Sequence, residues 1–253
     1  MAHTGIEEGF NSTITVVGDE VIKLSPQNQA YETAEQADMM VERLAAYSGE
    51  LATQPVIVTM PKSIMMLPQE GGYKLRHSYE LVDGPSVSSL PFEERRDAIA
   101  QILSQVSAMD TINDADTLRV PIDARAPNFH TDNRGPVLTD IFPAISRNTD
   151  GSFPLQVFTD QPRGRSLLLS WTMGTKSGAM TKLLFSALDR GDSKGAKLTH
   201  MARRTDEWCY DVLPADMEDS VRDAVRKQVR HRFVPLMARI AVDKTWAKVN
   251  NVV

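Results

Sequence analysis

The 253-residue chain has a single cysteine, Cys209, which excludes an internal disulfide and a thiolate metal cluster and leaves a buried or half-buried thiol as its reading. No apolar run approaches the roughly 18 residues that span a bilayer. The opening MAHTGIEEGF lacks the basic and apolar regions of a secretion signal, so a cytoplasmic protein with no membrane partner is expected. A basic excess is also missing. Lys and Arg number 28 against 33 Asp and Glu, a net charge of -5, which argues against a general nucleic-acid binder and is compatible with a small cationic substrate. The five histidines show no metal-ligand spacing, and there are no repeats or low-complexity segments. What is present is an ordinary globular composition with 42% hydrophobic residues. A chain of this length buries roughly 70 to 75% of its unfolded surface, as one two-lobed unit or as two small domains.

In order, Gly9 to Thr13 reads as a small-polar turn, followed by ITVV, a Gly18-Asp19 turn and EVIKL, a β-hairpin with Lys23 in its second strand. Gln29 to Tyr47 has helical spacing in Ala34, Ala37, Val41 and Leu44, with Gly49 as its stop. PVIVTM and SIMMLP read as strands separated by a break at Met60-Pro61-Lys62. The Gly71-Gly72 turn then leads to the strand YKLRHSYELV, and Asp83-Gly84-Pro85 interrupts. Pro91 to Met109 is an amphipathic helix with Ile99, Ile102, Leu103 and Val106 on one face.

Beyond it lies Arg119 to Ala144, where Asp132-Asn133-Arg134-Gly135 is a hairpin turn. Pairing Phe129 to Thr131 with Val137 to Thr139 is expected to set Asn128 and Asp140 side by side at the open end. Asp123 stands on a loop that Pro127 keeps out of helix. Two carboxylates and a carboxamide in one place suit Mg²⁺, which takes one or two carboxylates together with substrate phosphates. The third group is then available to orient or deprotonate a nucleophile.

The remainder reads as irregular from Ile141 to Arg165 and helical after it. SLLLSWTM and AMTKLLFSAL form a helix pair closed at Asp189-Arg190-Gly191, and His200, Trp208 and Tyr210 are read as packing residues of a further helix. GTKSG is rejected as a phosphate-binding loop because no strand precedes it and the lysine does not follow the required glycine. Pro214 opens a helix with an apolar stripe of Val221, Val225 and Val229 beside a basic one of Arg222, Arg226 and Arg230. Pro235 is expected to kink or break the chain beyond that helix, and 249–253 to fray.

Asp123 and Asn128 reproduce the D-x-x-x-x-N of a kinase catalytic loop, and Asp140 stands where the metal-binding Asp of D-F-G falls. The chain thereby resembles the aminoglycoside and choline phosphotransferase branch of the protein-kinase-like fold. The resemblance implies an α+β, two-lobed architecture: a β-rich N-lobe over residues 1–83 and a mainly helical C-lobe over 84–253. It implies an ATP- and Mg²⁺-dependent phosphotransferase, with GTP as another possible donor, acting on a hydroxyl of a small molecule or on Ser or Thr of a peptide. Asp123 would orient and deprotonate the acceptor, Asn128 and Asp140 would hold metal, and Lys23 would contact the α and β phosphates. Glu35, with Glu32 or Glu42 as alternatives, would pair with Lys23, and the Glu80 to Val82 hinge would hold adenine through its backbone. The resemblance implies that Ile141 to Arg165 lines the acceptor site. The chain departs from the pattern at Pro121, where a histidine is usual, and at Ile-Phe-Pro after Asp140 in place of Phe-Gly. These departures favour the alternative, an inactive pseudokinase that binds nucleotide or a protein partner.

Overall fold

The computed structural model describes residues 6–8, 12–25, 30–141, 171–188, 212–227 and 229. Five antiparallel strands form one sheet: β1 (Ile6–Glu8), β2 (Thr13–Val17), β3 (Glu20–Ser25), β4 (Pro61–Gln69) and β5 (Gly72–Glu80), in the order β1-β2-β3-β5-β4. The Gly18-Asp19 turn joins β2 to β3, with Gly18 at φ 63°, where a side chain would be strained. Lys23 pairs with Ile14 on one side and His77 on the other, which places it in the interior of the sheet.

Helix α1 (Ala34–Leu51) crosses from β3 to β4 and packs on β4 and β5. Thr33 caps it, its side chain accepting from the Gln36 amide at 3.2 Å, while the Gln36 side chain accepts from the Glu32 amide. The helix therefore starts later than Gln29 and runs past Gly49. Leu51 extends the buried stripe of Ala37, Leu44, Tyr47 and Ser48, and its burial outweighs the roughly 1 kcal/mol that one helical glycine costs. The expected break at Met60 to Lys62 is instead where β4 begins, with a bulge between Pro61 and Ser63, a place where an edge strand accepts proline.

PVIVTM is not a strand of the sheet. Its backbone reaches the second half of the chain: the Leu138 amide donates to Ile57 at 2.8 Å and the Thr59 amide to Leu138 at 3.0 Å. The apolar run is spent on this junction.

After β5 come a 3₁₀ turn (Val87–Ser89) and α2 (Phe92–Ala108), which buries Ala98, Ile99, Ile102, Leu103 and Val106. Helix α3 (Lys176–Leu188) packs against α2. Residues 219–227 are helical, with Val221, Val225 and Val229 buried in the same apolar core that takes in α1, α2 and α3. Arg222 is turned inward: its guanidinium donates to the carbonyls of Pro214 at 2.6 Å and Ala215 at 2.7 Å, so it braces the segment before that helix. The fold is α+β and two-lobed, a small antiparallel-sheet part followed by a helical part, as the protein-kinase-like reading requires.

The hairpin of β6 (Phe129–Asp132) and β7 (Gly135–Leu138) is one residue off the expected register: Phe129 faces Leu138 and Thr131 faces Pro136. The turn sets this. Only Asn133 and Arg134 lie outside the ladder, and Asp132 accepts from the Arg134 amide at 2.7 Å. Residues 9–11, 142–165 and 189–191, together with Cys209, His200, Trp208, Tyr210, Arg230, Pro235 and 249–253, lie outside the described residues.

Candidate functional site

The one-residue shift in register sets Asn128 opposite Thr139. The Thr139 amide donates to the Asn128 carbonyl at 2.8 Å and its hydroxyl to the same oxygen at 3.2 Å. Asp140 comes immediately after and turns towards the sheet. Lys23 Nζ lies 3.0 Å from Asp140 Oδ1 and donates to the Thr139 carbonyl, also at 3.0 Å. The loop from Pro121 to Asn128 is folded on itself, with Asn128 Nδ2 donating to the Asp123 carbonyl at 3.0 Å. Both lobes hold it in place. Tyr47 of α1 donates its hydroxyl to the Pro121 carbonyl at 2.7 Å, and Ser186 of α3 accepts from the Ala126 amide at 2.8 Å. Lys23, Asp123, Asn128 and Asp140 are thus gathered where the sheet meets the helical part.

Each charge there has an identifiable partner. Lys23 is buried at 5% exposure, and its ammonium lies 5.4 Å from the centre of the Tyr79 ring. Beneath it, buried His77 links Ser25 at 3.1 Å to the Tyr79 hydroxyl at 2.7 Å. Burial, assisted by the Lys23 charge, lowers the His77 pKa to about 3, so its ring is neutral and donates through one nitrogen only. Burial, then the charge of Asp140, raises the Tyr79 hydroxyl above its usual range. Tyr47 is likewise pushed up, by burial first and then by the charges of Asp123, Asp140 and Glu50.

Asp123 sits between two cations. Lys182 Nζ of α3 is 2.7 Å from its Oδ1 and Arg125 is 3.1 Å from its Oδ2. Burial alone would raise the Asp123 carboxyl, but Lys182 and Arg125 outweigh it and hold the group below the usual carboxylate range. Lys182 is lowered by burial, with Asp123 opposing and Arg125 adding to the shift.

Glu35 is not brought to Lys23. It is exposed on α1, as is Glu42, because the face that α1 buries carries Ala37, Leu44 and Tyr47, and Glu32 is exposed just before the helix; Asp140 takes the place of an α1 acid as partner of Lys23. Glu80 and Val82 lie elsewhere as well. With Val58 to Lys62 and the Thr131 to Arg134 turn they line a cavity of about 970 Å³, and none of Lys23, Asp123, Asn128 or Asp140 lines it.

Sequence reading missed Lys182, Arg125, Tyr47 and the His77–Tyr79 pair. Two signals were available: Arg125 stands inside the Asp123 to Asn128 spacing, and Lys182 is a lone cation in the apolar run AMTKLLFSAL. The GTKSG string has no room for a phosphate. Its helix start is closed by Asp116, which accepts from the Ser177 amide and hydroxyl at 2.7 Å each.

Among the described residues, no group of three or more His, Cys, Asp or Glu side chains is arranged to hold a metal by itself. Asp140 and Asn128 offer one carboxylate and one carboxamide oxygen, a set suited to Mg²⁺ that arrives with phosphate oxygens to complete its shell.

No family model matches the chain, and no curated protein matches it either. Solved structures similar to it include WaaP in complex with acyl carrier protein, at 14% identity and TM-score 0.42, covering 96% of this chain and 89% of that one. Another is the Legionella pneumophila Lpg2603 kinase bound to IP6, at 10% identity and TM-score 0.38, covering 93% and 80%. A third is a Neurospora crassa complex of PAN2 with PAN3, containing the PAN3 pseudokinase, at 10% identity and TM-score 0.45, covering 98% and 64%.

Proposed function

We propose that the chain is an ATP- and Mg²⁺-dependent phosphotransferase that acts on a hydroxyl of a small molecule or peptide. The observation that carries this reading is the contact of Lys23 with Asp140, 117 residues apart and 3.0 Å from atom to atom, beside the self-bonded Asp123 to Asn128 loop. In this reading residues 1–83 serve the nucleotide, with the Glu80 to Val82 backbone on the adenine and Lys23 on its phosphates, and residues 84–253 serve the acceptor. Asn128 and Asp140 would hold Mg²⁺, which would neutralise charge on the phosphates.

Asp123 accepts a hydrogen bond from the acceptor hydroxyl and fixes its line of approach. Lys182 and Arg125 keep this carboxylate ionised at neutral pH, and its basicity is correspondingly low. A low basicity suits phosphoryl transfer, whose loose transition state needs orientation of the nucleophile more than early removal of its proton. Tyr47 and Ser186 hold the loop so that this geometry exists before substrate arrives.

A second reading, a nucleotide- or partner-binding protein without turnover, draws on two observations: Glu35 does not meet Lys23, and both oxygens of Asp123 are paired. One experiment separates them. ATP hydrolysis and transfer to a panel of alcohols are measured beside ATP affinity, for the native chain and Asp123→Asn. The enzyme reading expects turnover that falls at least about a hundredfold in the variant with affinity nearly unchanged. Mg²⁺-dependent ATP binding with no turnover in the native chain selects the second reading, and no ATP binding sinks both nucleotide-based forms.

A further inference from the structure

Asp123 cannot neutralise both of its partners. Lys182 and Arg125 stand at 2.7 Å and 3.1 Å from its two oxygens, so this group carries one positive charge in excess, whereas the neighbouring Lys23–Asp140 pair is balanced. Among the described residues, Lys182 and Arg125 each form an ion pair with Asp123, and neither forms one with a second carboxylate.

Packing does not explain the lysine. The residues around Lys182 on α3, Ala179, Met180, Leu183 and Leu184, are wholly buried, and an apolar side chain in its place would avoid the desolvation of an ammonium. Its side chain nevertheless stays 20% exposed, that of Asp123 19% and that of Arg125 40%. A molecule that touches Asp123 therefore meets both cations at once.

We propose that Lys182 and Arg125 form an anion subsite on the acceptor side, so that the acceptor carries a phosphate or carboxylate group close to the hydroxyl that Asp123 receives. The same charge disfavours a cationic acceptor such as an aminoglycoside or choline, against the expectation drawn from net charge and resemblance. The inference rests on the phosphotransferase reading and narrows its acceptor.

The test is calorimetric titration of the full chain, saturated with ADP and Mg²⁺ and held at constant ionic strength, with glycerol 3-phosphate, glycerate, glycerol and choline. The two anions are expected to bind at least about tenfold more tightly than glycerol, with choline weakest; which anion is favoured identifies the group. Lys182→Gln and Arg125→Gln should each weaken anion binding about tenfold while ADP affinity stays within about twofold, and Lys182→Arg should retain most of it. Equal affinity for glycerol and glycerol 3-phosphate, tighter binding of choline, or anion binding untouched in both Gln variants overturns the subsite. Failure of the wider reading looks different: ADP does not bind, yet the anion preference and its loss in Lys182→Gln persist.

Discussion

The buried ammonium of Lys23 makes the site's electrostatics measurable without any substrate. Its side chain is 7% exposed and that of Asp140 is 31% exposed. Removing one member of a fully buried pair costs about 3 to 5 kcal/mol because the other charge is left unpaired. Two features reduce this for Asp140→Ala: water reaches the Asp140 side, and Lys23 keeps the Thr139 carbonyl at 3.0 Å. The expected loss is then about 1 to 2 kcal/mol, a fall of about 3 to 6 °C in melting temperature for a chain of this size. Lys23→Met should cost less, about 0 to 1 kcal/mol, because the remaining Asp140 can hydrate and the methionine fills the space over Tyr79. The decisive quantity is the double variant. With no buried ammonium to strand, Asp140→Ala should be nearly neutral in the Lys23→Met background, giving a coupling of about 1 to 2 kcal/mol in urea unfolding at neutral pH. An Asp140→Ala penalty of the same size in both backgrounds would falsify the pairing and, with it, the contact on which the proposed function rests.

Two further outcomes are expected from the same equipment. His77 is neutral when folded, with a pKa near 3, and takes up a proton near its ordinary value of 6.5 when unfolded. The unfolded state therefore binds more protons as pH falls from 6.5 towards 3, and stability drops across that window while remaining complete above it; between pH 7 and pH 5 the loss is about 2 kcal/mol. His77→Gln should flatten this slope in urea midpoints, and an unchanged slope would mean that another group causes it. At Gly84 an added Cβ would lie 1.5 Å from the Thr131 carbonyl oxygen, so Gly84→Ala must push the segment after β5 off β6. A destabilisation of at least about 1 to 3 kcal/mol is expected in chemical unfolding, and a neutral variant would show that the two segments are not in contact.

How far the sequence could be read depended on whether the signal was local. The β2–β3 and β4–β5 hairpins, α1 and α2 follow from turn residues and apolar periodicity, which are short-range properties. PVIVTM failed because an apolar run has no mark that distinguishes a sheet strand from a segment spent on a junction; its partner, Leu138, lies some eighty residues ahead. The hairpin register slipped by one because the turn needed only Asn133 and Arg134, whereas the expected pairing of Thr131 with Val137 left five residues, 132–136, between the strands. The site divides the same way. Spacing alone marked Asp123, Asn128 and Asp140, and alternation placed Lys23 on a strand. The side chains that complete them, Tyr47, His77, Tyr79 and Lys182, lie on other elements, α1, β5 and α3, and nothing in one stretch of sequence announces a contact with another.

The choice of Glu35 failed for a reason of helical geometry. A helix shows its neighbours one face, and α1 shows the loop the face of Ala37, Leu44 and Tyr47, from which Glu35 points away. Tyr47 then does at the loop what an acid would have done at the lysine: it fixes one side of the site from α1, through the Pro121 carbonyl. Pro121 leaves the chain without a histidine at that point, but its carbonyl remains, and a buried tyrosine hydroxyl raised far above neutral pH is a permanent donor for it. On the sheet side, Tyr79 supports Lys23 from below while Asp140 pairs with it from the segment that follows β7. Lys23 is consequently oriented by the group beside which the metal would bind. Any ligand that draws Asp140 away must offer Lys23 another anion, and phosphate oxygens bound to that metal would offer one. In the proposed reading the arrangement would couple metal and phosphate at a single carboxylate, with no acid needed on α1.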